Sequence, residues 1–370
     1  MSTDPVRLFL CGDVMLGRGI DQILPHPGDP TLREPYARDA RAYVAWAEAV
    51  CGPIPRPVEF SWPWGEALRL LDEAAPDARV VNLETGVTRS SDFAPGKDVH
   101  YRMDPANVPC LAAARPDVCV LANNHVLDFG LRGLEETLDA LTSARLPAVG
   151  AGRDAVAARR PAIIPVAGRG RILVFSFGTA SSGIPWRWAA AEDRAGVGFV
   201  SEASAVDAAD IADRVRQARR PGDVVVASVH WGSNWGYEVS GAQIRFAHAL
   251  IDGGVDVVHG HSSHHPRPIE VYRGRLILYG CGDFIDDYEG IAGHERYRDD
   301  LRLLYLVTVE SGSGELIGAR MVPLQAQQMR LRHASREDAQ WLRGVLDRVS
   351  RGLGVRVDLD TDGMLALLRA

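Results

Sequence analysis

The stretch VDVVHGHSSHHPRPIEV, Val255 to Val271, holds four of the chain's eleven histidines. Its first half is an apolar, β-branched run that reads as a buried strand. The run carries His259 and ends at His261, with His264 and His265 just beyond. Crowded imidazoles repel one another once protonated, so their clustering points to a metal, an acid/base pair or a His-rich loop. Ligands of α/β proteins bind outside the carboxyl ends of strands. A strand with this kind of tip therefore predicts such a sheet.

Other strands end the same way. VRLFLCGD ends at Asp13, and RVVNLE at Asn82 and Glu84. DVCVLANNH ends at Asn123, Asn124 and His125, and VVVASVH at His230. A single Asp in such a place is commonly a turn or helix cap. Five strand ends together predict one shared site. Carboxylate, amide oxygen and imidazole suit a hard or borderline divalent ion, Mg, Ca, Mn, Fe or Zn. Cys11 shares the face of Asp13 by strand alternation but reads as core.

Between these strands, WGEALRLLDEAAPDA, NVPCLAAARP, LRGLEETLDALTSARL, ASAVDAADIADRVRQARRPGD, AQIRFAHALIDGG and REDAQWLRGVLDRVSRGL read as helices. Hairpins are expected around Gly168–Gly170, within PIEVYRGRLILYGCGDF and within LRLLYLVTVESGSGELIGARMVPLQ. Alternating strands and helices predict an α/β fold of two mixed sheets with helices outside. No composition break marks a linker, so residues 1–370 are expected to form one domain. Residues 25–63 read as a surface excursion that lids the site, and 301–370 as a C-terminal hairpin plus helix.

The chain is 46% hydrophobic and 24% charged, ordinary for a globular protein, with a net charge of −7 and no basic run. Nucleic acid is therefore not an expected partner. Lys97 is the sole lysine. Five scattered cysteines without a CxxC pair read as reduced thiols of the cytoplasm. The N-terminal apolar run is too short for a signal peptide, and no segment reaches the roughly 18 apolar residues of a membrane span. Neither oligomeric state nor substrate identity is legible.

CGDVMLGR, VNLE, LANNHVLDFG, VHWG and GHSSHHP…GRLILYGCGDFI occur in the order of the bacterial capsule-synthesis (CapA-type) family, which the chain resembles. That family belongs to the calcineurin-like metallophosphoesterase superfamily. The resemblance implies a four-layer α/β/β/α sandwich with a metal site at the sheet ends. It implies Asp13, Glu84, Asn124, His230 and His261 as metal ligands, with Asn82 beside Glu84 at the place of a bridging Asp. It implies His125 as acid or base, and places His264 as the second histidine of the final Gly-His motif, here with an extra residue between the two. The usual Asp-x-His opening is here Asp13-Val14-Met15, and the bridging Asp is replaced. One divalent ion, Ca, Mn, Mg or Zn, is therefore expected rather than two.

With one ion, spare His and Asp residues remain. His125 and Asp128 are three apart and could pair on a first helical turn. His264 could be oriented by Asp283. A His held by a carboxylate is a tuned acid/base, and Asp13 is placed in the reacting group as well. Asp128 as a helix cap and Asp283 as a turn residue are the competing readings. Two such pairs facing one carbon suit two-base proton transfer. This logic resembles that of lasso-peptide epimerases of the same fold. Epimerisation at the α-carbon of a precursor peptide's C-terminal residue is then expected, with Ca the favoured ion. The alternative is a metallohydrolase or amide-transfer enzyme of poly-γ-glutamate, cell-wall peptide or phosphoester substrates. Arg18 and Arg102 could clamp a substrate carboxylate, and Trp231 and Trp235 could stack on a peptide side chain.

Overall fold

The computed structural model describes residues 5–201 and 204–369. Ala203, where the expected helix began, and residues 1–4 and 370 lie outside the described residues.

Two large sheets are built around parallel strands. The first has the order Val355–Leu359, Leu365–Arg369, Leu316–Ala326, Leu301–Glu310, Pro5–Val14, Ala78–Leu83, Val118–Val120, Ala148–Val149. Asp283–Ile285 adds to it beside Pro5–Val14, in parallel register with Asp13 opposite Asp283. The second runs Ile269–Tyr272, Arg275–Leu278, Val257–His261, Val224–His230, Gly170–Gly178, Ala162–Val166. Its inner strands are parallel and its rims are the two expected hairpins.

Strand alternation explains the layers. Leu8 and Leu10 point to one side of the first strand and pack with Val226, Val257 and Leu276 between the sheets. Phe9 and Cys11 point to the other side, against Tyr43, Leu71 and Leu134 of the helices Arg41–Cys51, Ala67–Ala74 and Gly130–Ser143. Outside the second sheet, Phe175 and Val225 meet Ile211 and Leu250 of the helices Ala205–Ala218 and Gly241–Asp252. Three apolar layers separate helix, sheet, sheet and helix, which is the predicted sandwich. Each fully buried aliphatic side chain contributes about 2 kcal/mol.

Residues 25–63 are more ordered than a surface excursion. The helix Arg41–Cys51 buries Tyr43, Val44 and Ala47, and Ile54 and Val58 are buried beyond it. The segment still reaches the site, through Tyr36. At the C-terminus the expected hairpin and the helix Arg336–Ser350 are present. A further hairpin, Val355–Leu359 with Leu365–Arg369, follows and extends the first sheet.

The site lies where the carboxyl ends of the parallel strands of both sheets meet. Gly12 makes that meeting close: a Cβ there would stand 1.5 Å from Gly282 O. Cys11-Gly12-Asp13 and Cys281-Gly282-Asp283 thus run side by side and deliver two carboxylates to one place.

Candidate metal centre

Asp13, His230 and His261 offer ligand atoms that all lie within 4.8 Å of one another, and all three residues are buried. Hydrogen bonds on the outer side of the cluster fix the histidine tautomers. The Cys11 carbonyl can only accept, so His259 Nε2, 2.7 Å away, carries its proton. His259 Nδ1 is then an acceptor, and Ser228 Oγ donates to it at 3.0 Å. Ser228 Oγ is left to accept from His261 Nε2 at 2.9 Å. His261 Nδ1 therefore bears a lone pair. His230 Nε2 donates to Asn124 Oδ1 at 2.9 Å, so its Nδ1 bears one too. These two Nδ1 atoms face each other at 2.7 Å, each about 4 Å from Asp13 Oδ1. Two opposed lone pairs with a carboxylate beside them fit a cation.

Burial, then the neighbouring imidazole charges, push His230 and His261 well below the usual histidine range, so both are neutral donors. Asp13 is raised to about 7 by burial and then by the charge of Asp283. It accepts from Asn82 Nδ2 at 2.6 Å and from Ser262 N at 3.2 Å. Ser262 holds φ at +103°, a left-handed conformation that a serine adopts at a cost. Glu84 Oε1 stands 3.6 Å from His230 Nε2 and 3.8 Å from His125 Nε2, on the pocket side.

Two histidine–carboxylate pairs flank this cluster. His125 Nδ1 bonds Asp128 Oδ2 at 2.6 Å. The helix that follows is capped at Phe129 without a side chain, so Asp128 is not its cap. His264 Nδ1 lies 3.0 and 3.1 Å from the two oxygens of Asp283, which stands on a strand rather than in a turn. Asn234 Nδ2 lies 2.9 Å from His264 Nε2. The pairs are tuned in opposite senses. Burial, then the Lys97 and Arg18 charges, hold His125 well below the usual range. Burial also opposes charge on His264, but the Asp283 charge and hydrogen bond outweigh it and raise its pKa. The lowered pKa suits His125 to the role of a base and the raised one suits His264 to that of an acid.

Asp13 also belongs to a second convergent trio, with His264 and Asp283. That trio is already joined internally by the His264–Asp283 bond.

Three residues that the sequence did not single out complete the site. Lys97 Nζ bonds Asp128 Oδ1 and the Asn124 carbonyl, and lies 3.1 Å from His125 Nδ1. Its standing as the chain's sole lysine was the available signal. Tyr101 stacks on His125 with ring centroids 3.7 Å apart, and Tyr288 meets His264 edge-on at 5.2 Å. Their hydroxyls are 2.5 Å apart, so the two tyrosines bridge the two histidines. The repeated Cys-Gly-Asp of the adjoining strands was a further signal.

The other expectations sort as follows. Asn124 reaches the centre, where its Oδ1 accepts from His230 Nε2. Arg18 lines the pocket, yet Asp287 and Glu34 already pair with it, and it lies over the Tyr43, Tyr101 and Tyr288 rings. It positions the wall and is not free to clamp a substrate. Arg102 does not line the pocket: it bonds Ser90 O and Asp29 O. Trp231 is 1% exposed, stacked on Tyr279 with Nε1 bonded to Tyr279 O, and belongs to the core. Trp235 does line the pocket, stacked on His294 at 3.8 Å. His265 is buried against Tyr297 and accepts from Gly236 N, a structural role. The pocket encloses about 350 Å³, with Glu84, His125, His264 and Trp235 on its walls.

The four-layer sandwich with a convergent Asp–His–His trio at its strand ends is the architecture expected of the capsule-synthesis family. The chain belongs to the family described as "Bacterial capsule synthesis protein PGA_cap", whose model matches residues 7–288. It is 54% identical to the "Probable polyglutamine synthesis accessory protein" of Mycobacterium tuberculosis, over 99% of this chain and 97% of that one. It is 25% identical to the "PGA biosynthesis protein CapA" of Bacillus subtilis, over 82% of this chain and 68% of that one. The "Capsule biosynthesis protein CapA" of Bacillus anthracis is 23% identical, over 88% and 68%. Among the described residues no helix is long and apolar enough to cross a membrane.

Proposed function

We propose that the chain is a metal-dependent enzyme that cleaves or transfers amide bonds of glutamate-rich peptides of the poly-γ-glutamate class. The observation that carries this reading is the pair of oppositely tuned His–Asp dyads on one pocket beside a metal-ligand trio. Relatives named for polyglutamine synthesis and PGA biosynthesis support a substrate of this class. His125 Nε2 takes a proton from the attacking water or amine, and Asp128 steadies the imidazolium. His264, whose pKa Asp283 raises, gives a proton to the leaving nitrogen as the C–N bond breaks. Asp13, His230 and His261 would hold the ion, which when bound polarises the carbonyl as a Lewis acid. Two imidazoles with a carboxylate suit Zn or Mn better than Ca, which prefers oxygen ligands. This argues against Ca as the favoured ion. The free thiols accord with a reducing, cytoplasmic location.

A second reading keeps the same groups. The dyads suit removal of an α-proton by one histidine and its return by the other, which is epimerisation at Cα of a peptide, including a lasso-type precursor. One experiment separates the two. Metal-loaded protein is incubated with γ-linked oligoglutamate, and with a candidate precursor peptide, in deuterated water, and the products are read by mass spectrometry. Shortened or transferred chains without α-deuterium support the amide reading. Intact peptide carrying α-deuterium overturns it in favour of epimerisation.

A further inference from the structure

Behind the metal pocket lies a second polar cleft around Arg267. This residue is 2% exposed and stands two positions after His265. Its hydrogen bonds go to the Ser233 carbonyl and hydroxyl, both at 2.8 Å, and at 3.5 Å to the carbonyls of Trp235 and Glu238. Its Nε has no partner. No ion pair to Arg267 occurs among the described residues, whereas the equally buried Arg18 and Arg302 each face a carboxylate. A buried guanidinium without a counter-charge is costly, and native proteins pair such groups.

Gln243 is the second anomaly. Its Oε1 accepts from Ser240 N at 3.2 Å in the capping box that starts the helix Gly241–Asp252. Its Nε2 is buried and unpartnered. Gly232 brings the two together: a Cβ there would meet Gln243 Nε2 at 2.8 Å and Arg267 Nη1 at 2.9 Å. Both side chains line a cleft of about 500 Å³, which shares Trp235 with the metal pocket.

We propose that this cleft is a carboxylate-binding subsite, in which a substrate carboxylate supplies the missing counter-charge to Arg267 and accepts from Gln243 Nε2. Under the amide reading, on which only the identity of the donor rests, the ligand is the free carboxylate of a glutamyl unit next to the one at the metal. A γ-linked chain presents such a group at every unit. The shared Trp235 wall makes the two sites neighbours.

Calorimetric titration with glutarate tests the subsite without any turnover, so a failed amide assay leaves it standing. Wild type is expected to bind glutarate saturably, and inorganic phosphate at the same concentration is expected to compete poorly. Gln243→Glu keeps the capping oxygen and places an internal carboxylate beside Arg267. It should raise Tm and weaken glutarate binding at least tenfold while metal content stays unchanged. Arg267→Gln should lose the same binding. Glutarate binding by Gln243→Glu equal to wild type, or no binding by wild type, would overturn the proposal. Phosphate binding as tight as glutarate would overturn the carboxylate assignment.

Discussion

His230 and His261 present Nδ1 to Nδ1 at 2.7 Å, and the bonds on their far nitrogens leave a lone pair on each facing atom. The chain that imposes this begins at a backbone carbonyl, Cys11 O, and passes through His259 and Ser228. The structural histidine of the strand therefore sets the tautomer of the ligand histidine two residues later.

That relay makes Ser228 a test of the metal centre that leaves the ligands intact. Ser228→Ala removes the acceptor that holds His261 Nε2–H. Metal affinity should fall about 10–100-fold, the usual effect of losing a ligand's orienting partner. Competition with a chelator measures it. An unchanged affinity would show that the relay does not set the tautomer.

Loss of a dyad should strike turnover more than binding. His125→Ala and His264→Gln should each lower kcat about 10²–10⁴-fold with KM little changed. If both variants keep full activity, acid/base chemistry at these residues is ruled out.

Activity should depend on pH with two limbs. His264 has a raised pKa, so its acid form is lost as pH rises through a value above about 6.5. His125 has a lowered pKa, so its base form is lost as pH falls through a value below about 6.5. The sign for stability follows from the shifts of the pair. The His264 share is present below the unfolded histidine value and fades as pH rises through the folded one, while the Asp283 share is lost as pH falls through that carboxylate's lowered pKa. Lys97 helps hold His125 down, so Lys97→Met should move the acid limb of kcat/KM to higher pH. A limb that stays in place would separate Lys97 from the dyad.

Gly12→Ala probes the junction of the strands. Its methyl would overlap Gly282 O, so the variant should lose about 3 kcal/mol or more in denaturant unfolding, together with metal. A stability within about 0.5 kcal/mol of wild type would mean that the two strands separate easily.

The residues at strand ends were legible because strand polarity and ligand chemistry are local properties. Asp13, Glu84, His125, His230, His261 and His264 could be read this way, and the sandwich followed from the alternation of elements. What escaped depends on contacts between distant segments. Arg18 is neutralised by Asp287 from the far end of the chain. Trp231 follows His230 directly, yet alternation turns it into the core. Lys97 and Tyr101 lie in a loop without periodicity, and only folding brings them to His125. The last hairpin was hidden because its first strand is short and carries Arg356 and Asp358 on the exposed side.

The central claim is that one divalent ion sits between Asp13, His230 and His261. Anomalous diffraction from crystals grown with Zn or Mn tests it most directly. The account predicts one strong peak per chain within bonding distance of Asp13 and of Nδ1 of both His230 and His261. No peak there, or a peak held only by Asp13, His264 and Asp283, would contradict it.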